Sequence, residues 1–167
     1  MAKLPRTPAA PADKGQLAQA VIARMKGASV ALGQLSFSTA RTMCAACHSV
    51  RPGELRLGPS LAGLGAAVPP QYLVESILEP NKVIKTGFQM ETVETKDGRT
   101  FSGLVEAAGA NLLIRMLGAS LASVPLAEVK SRTASALSPM PAGLEVTMTV
   151  GELADLTAYL ISLKAAQ

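Results

Sequence analysis

The chain has 167 residues, the length of one ordinary domain or of a small domain with an appendage, and can bury a core without disulfide staples. Hydrophobic residues make up 49% of it, yet aromatics only 3%, so bulky core fillers are scarce and another group has room at the centre. Two Cys and one His exclude a disulfide scaffold and a four-ligand structural zinc site. A net charge of +4 suits an acidic partner, but the charges are scattered as on an ordinary solvated surface. They form no basic stripe for nucleic acid. No apolar run reaches the roughly 18 residues of a transmembrane helix.

Residues 1–14, with Pro5, Pro8 and Pro11, are expected to form a disordered tail, and they contain no apolar core of a secretion signal. Leu17, Val21 and Met25 recur at helical spacing, which predicts a helix over 15–27 that stops at Gly27. A second helix is expected from about Leu32 to Ala46. Residues 47–69 are rich in Pro and Gly and are expected to be mostly loop. Pro69-Pro70 opens a third helix, with Leu73, Val74, Ile77 and Leu78 on one face and Pro80 as its end.

The pattern then changes to alternation. Phe88, Met90 and Thr92 alternate, Lys96-Asp97-Gly98 makes a hairpin turn, and Phe101, Gly103 and Val105 alternate. Leu112, Ile114 and Met116 follow, then Leu121 to Val124 and Glu128 to Arg132. Five short strands at this spacing predict a small antiparallel barrel or curled sheet. Residues 134–148 are irregular. Thr149 and Glu152 form a capping box before a last helix, whose stripe is Leu153, Leu156, Leu160 and Leu163.

Chemistry concentrates at Cys44-Ala45-Ala46-Cys47-His48, the C-x-x-C-H spacing of covalent c-type haem attachment. On a helical turn, positions i and i+3 share a face, so both thiols reach the two vinyl groups of one porphyrin edge. The adjacent imidazole then reaches the iron. A thioredoxin-like pair needs a strand before the first Cys, which is not expected here. A zinc half-site lacks its remaining ligands, and a plain disulfide leaves His48 unexplained.

With no second His, a methionine is the natural second axial ligand. Met1 lies in the tail and Met43 beside the cysteines; Met25, Met90 and Met116 sit in core patterns. Met140, between Pro139 and Pro141, is the candidate, and Met148 the alternative. The rigid segment Leu57 to Leu61 is the candidate to supply a backbone carbonyl to His48 Nδ1.

Taken together, these residues resemble a class I cytochrome c. Gly33 and Phe37 precede Cys44, Gly58-Pro59 follows it, and Met140 precedes a helix containing Ala158-Tyr159-Leu160. More narrowly, the chain is similar to the haem-binding domain near the C-terminus of many large planctomycete and verrucomicrobial proteins. The matching stretches are CAACHSV, LGPSLAGLG, YLVESILEPNKVIKTGF, KDGRTFSGLV, MPAGL and ELADLTAYLISLK. The resemblance implies a mainly α cytochrome c fold over 33–167, with a small β-barrel or sheet resembling an Sm-like barrel inserted at about 87–133, hence α+β overall. Residues 15–32 are then an N-terminal helix and linker, or a remnant of a preceding domain.

The resemblance further implies one haem c on Cys44 and Cys47, with His48 and Met140 as axial ligands and the Pro59 carbonyl on His48. It implies an electron-transfer module of a larger exported, periplasmic protein, serving a redox partner or a fused dehydrogenase domain rather than catalysing a reaction itself. The alternative is a ligand-binding or peroxidase-like haem protein with an open distal site. Ser60 replaces the Asp or Asn common after Gly-Pro. Arg51 and Arg56 are candidates to meet a haem propionate, with solvated arginines as the plain alternative.

Overall fold

The structure, a computed structural model, describes residues 13–54 and 56–164. The expected tail therefore lies outside the described residues, except for Asp13 and Lys14, which begin the first helix. The described chain is α+β: six helices and one five-stranded antiparallel sheet.

The helices are α1 (Lys14–Arg24), α2 (Val30–Ser38), α3 (Cys44–Cys47), α4 (Leu64–Ala67), α5 (Pro70–Leu78) and α6 (Val150–Ser162). Asp13 caps α1 through its carboxylate, which accepts from Gly15 N. Pro70 opens α5, where its missing N–H costs nothing. In the capping box of α6, Glu152 N donates to the Thr149 hydroxyl and Thr149 N to the Glu152 carboxylate. The apolar faces of α1, α2, α5 and α6 meet in one core, joined by Met148. The expected N-terminal helix is part of that core, since Leu17, Ala18 and Val21 are buried in it.

The crossing of α2 and α6 is very close. A Cβ on Gly33 would stand 1.9 Å from the Asp155 carbonyl oxygen, so only glycine lets the two backbones meet. Phe37 packs on Tyr159 beside it, with ring centroids 5.6 Å apart and tilted planes.

The long second helix expected over 32–46 is two helices. α2 ends at Ser38, and Met43 takes a left-handed conformation at φ 55° before α3 begins. The cause is local: the Ser36 carbonyl accepts from the hydroxyls of both Thr39 and the buried Thr42, which draws the chain out of the helical ladder.

The strands are β1 (Glu91–Thr95), β2 (Thr100–Ala108), β3 (Asn111–Arg115), β4 (Leu121–Pro125) and β5 (Val129–Ala134), in the order β4-β3-β2-β1-β5. The sheet is open, so the barrel alternative is corrected in favour of the sheet. β5 runs back along β1, on the opposite flank from β4, and the two outer strands do not pair. β2 is shared: its first half pairs with β1 and its second half with β3. Val93, Leu112, Ile114 and Val124 form the small core of the sheet.

The first strand is also shifted from expectation. It starts at Glu91, and its buried members are Val93 and Thr95 rather than Phe88, Met90 and Thr92. Thr95 can be buried because its single hydroxyl proton has two acceptors within reach, the Asp97 carboxylate and the Arg99 carbonyl. Thr92 faces outward and meets Ser102 across the ladder.

Candidate functional site

The segment that precedes the cysteines sets their direction. Thr42 is buried and tied to α2 through Ser36, Met43 turns left-handed, and the single turn of α3 follows. Cys44 and Cys47 therefore sit three apart on one helical turn, both half-buried and both free thiols. The Cys44 thiol donates weakly to the Thr42 carbonyl at 3.7 Å. Burial pushes the Cys44 thiol up against the opposing pull of Thr42, and burial pushes Cys47 up as well. Both are thus held as protonated thiols, unlike the acidic thiol of a dithiol oxidoreductase.

His48 ends the turn with an extended backbone, and its N–H closes the turn on the Cys44 carbonyl at 2.9 Å. Its Nδ1 lies 2.8 Å from the Pro59 carbonyl oxygen. A carbonyl only accepts, so Nδ1 carries the proton. Burial lowers the imidazole pKa against the raising effect of that bond. The ring is then neutral at neutral pH, with the Nε2 lone pair available.

The loop that holds this ring is fixed by backbone contacts. Gly58 N donates to the Cys47 carbonyl at 2.7 Å, and Leu61 N to the Ser49 carbonyl at 2.7 Å. A Cβ at Gly58 would stand 2.6 Å from His48 Cε1, so glycine is required for the imidazole to lie there. Ser60 makes its own bonds, donating to the Arg51 carbonyl at 3.0 Å and accepting from Ala62 N at 3.3 Å. Arg51 is exposed. Arg56 is engaged with the cysteine turn: it donates to the Ala45 carbonyl and pairs with Glu54, whose other oxygen accepts from Ser49.

Among the methionines, Met140 is half-buried at the edge of the helical core, the same core against which Cys44 and Ala45 pack. Half-buried Val50, Leu61, Leu64, Val68 and Leu144 pack against that core too. Met148 is fully committed to the core at 2% exposure, Met116 packs on the sheet core, and Met43 is 53% exposed. Met1 lies outside the described residues. The Met140 N–H donates to the Ser138 hydroxyl at 3.1 Å, and Ser138 N to Asn81 Oδ1 at 2.8 Å.

Thr42, Arg56 and Gly58 carry parts of this site that spacing alone did not assign. Thr42 had a signal, a threonine two positions before the first cysteine and six after Ser36. The steric demand on Gly58 had none beyond its place before Pro59.

The thiols and the imidazole do not gather as a chelate. Among the described residues, no three His, Cys, Asp or Glu groups could hold one metal ion. Two free thiols on one face, a neutral imidazole with one nitrogen fixed, and a half-buried thioether on the same core instead suit a planar group gripped at its edge. No protein-family model matches the chain, and no curated protein matches it.

Proposed function

We propose that this chain is an electron carrier built on one covalently held c-type haem, within a cytochrome c-like arrangement of its helices. Cys44 and Cys47 would hold the porphyrin edge as thioethers, His48 Nε2 would ligate the iron, and the Met140 sulfur would be the second axial ligand. Haem supplies a one-electron ferric/ferrous couple. The reading rests above all on the His48 Nδ1 bond to the Pro59 carbonyl, the contact that turns an imidazole into an oriented ligand of raised basicity.

The other residues have matching roles. Gly58 leaves space for the ring, while Thr42 and Arg56 fix the turn that carries both sulfurs. Leu61, Leu64 and Val68, half-buried against the same core, would help shield the haem from water, which with a methionine ligand favours a higher potential. The close pairing of Gly33 with α6 and of Phe37 with Tyr159 supports the cytochrome-like reading of the helices. A haem would also account for a core so poor in aromatics. Covalent attachment takes place outside the cytoplasm, so the protein acts in an exported, periplasmic setting. Its partner is a redox protein or a fused dehydrogenase domain.

The test is the absorption spectrum of protein produced in a periplasm competent for c-type maturation, with Met140→Ala beside it. The expected result is a sharp reduced α band and a ferric methionine–iron charge-transfer band that is lost in Met140→Ala. A covalent haem with a high-spin spectrum that ignores the substitution would favour an open distal site and a ligand-binding or peroxidase-like protein. Absence of haem would overturn the proposal.

A further inference from the structure

We infer that Asn81 is a positioning residue for the methionine ligand, acting through Ser138; the inference rests on the haem reading above. The methionine lies in a Pro-Met-Pro triplet, and neither Pro139 nor Pro141 has an N–H. The Met140 N–H is therefore the only backbone donor of the triplet, and the Ser138 hydroxyl takes it at 3.1 Å. Ser138 is held in turn from 57 residues away, its N–H donating to Asn81 Oδ1 at 2.8 Å. This short relay runs from the end of α5 to the ligand, through a loop with no ladder of its own.

Asn81 is itself rigidly placed. It follows the buried Pro80, and the turn around it is closed by Lys82 N on the Glu79 carbonyl at 2.9 Å. The Met140 loop is pinned at a second point, where Ser135 N donates to the Met90 carbonyl at 2.8 Å and Gln89 donates to the Ser135 carbonyl at 3.0 Å. The two anchors hold the loop at Ser135 and Ser138, and the Ser138 hydroxyl carries that hold to Met140 two residues further on. Asn81 is exposed, so a substitution there leaves the hydrophobic core intact and acts on the loop alone.

The experiment uses the mature holoprotein, Met140→Ala as the reference for the band, and three further variants. Asn81→Leu removes the acceptor at similar volume, Asn81→Asp keeps an acceptor oxygen, and Ser138→Ala cuts the relay at its second link. The readouts are the ferric methionine–iron band, the reduction potential and a titration with imidazole, which competes with methionine for the iron. One lost hydrogen bond on the methionine-bound state should let imidazole bind roughly fivefold more tightly in Asn81→Leu. The band should weaken and the potential fall in that variant, Ser138→Ala should follow, and Asn81→Asp should stay close to wild type. A wild-type band abolished by Met140→Ala, with imidazole affinity unchanged in both Asn81→Leu and Ser138→Ala, overturns the positioning role alone. A wild type without that band overturns the haem/methionine reading and this inference with it.

Discussion

The helical unit and the sheet that lies between α5 and α6 in the chain are held together in different ways. Among the described residues, the helical core buries fourteen that lie far apart in the chain, from Leu17 to Leu160, whereas the sheet core buries four, all within 93–124. The helices depend on contacts between distant segments, including the backbone contact of Gly33 with Asp155. The sheet depends on antiparallel ladders, three of them between strands consecutive in the chain and one that brings β5 back to β1, and β5 is exposed along nearly its whole length. The contrast bears on where a site can be built. The candidate ligands sit in and around the helical unit, where loops are fixed by long-range packing, and the sheet stands outside that assembly.

The difference can be broken most forcefully at Gly33. A larger side chain there meets the Asp155 carbonyl and the Tyr159 Cβ rather than a flexible side-chain end. Gly33→Val should destabilise by more than about 3 kcal/mol, above the usual cost of overpacking, and should prevent haem attachment. Denaturant unfolding together with haem staining of the expressed protein checks this.

A cavity in the sheet should act more locally. Ile114 is fully buried, and Ile114→Ala should cost about 2–3 kcal/mol, read by chemical denaturation. The haem spectrum should stay intact. Loss of haem attachment in Ile114→Ala would mean that the two regions fold as one unit.

The smallest effect is electrostatic and again separates the regions. Burial would push the Glu152 carboxyl up, but Arg41 and the Thr149 backbone hold it down to about 2, against an ordinary value of 4.5. Its folded-state value is depressed, so its contribution is complete above about pH 4.5 and is lost as pH falls toward 2. Glu152→Gln should flatten the acid limb of stability in that window. The lowered carboxyls of Glu94, on β1, and Asp97, in the turn after it, sit in ion pairs open to solvent, and Glu94→Gln should change the curve little.

Much of the helical unit was legible in the sequence because its signals are local and mutually consistent. The prolines around 70–78, the leucine stripe of α6 and its capping box each state an element with its boundary. The spacing of Cys44, Cys47 and His48 marked the turn and pointed to a carbonyl from the Leu57–Leu61 segment. The break after Ser38 was hidden, because the apolar pattern continues while threonine hydroxyls compete for the Ser36 carbonyl. The phase of β1 was hidden because a satisfied threonine occupies an inward position. The relay from Asn81 to Ser138 joins residues 57 apart in the chain, and no periodicity encodes such a pair.

The meeting of Met90 and Ser135 has a consequence for how this chain tolerates change. The sheet begins and ends at hydrogen-bonded neighbours, with Glu91 paired to Ala134 just beyond them. To the helices, the whole of 91–134 is therefore equivalent to a tight turn, whatever its length. The entropy of closing such a loop grows only slowly with its size, and here the ladder of the sheet offsets most of it. A closed element of another length, joined at the same pair of residues, would leave the spacing between α5 and the Met140 loop the same.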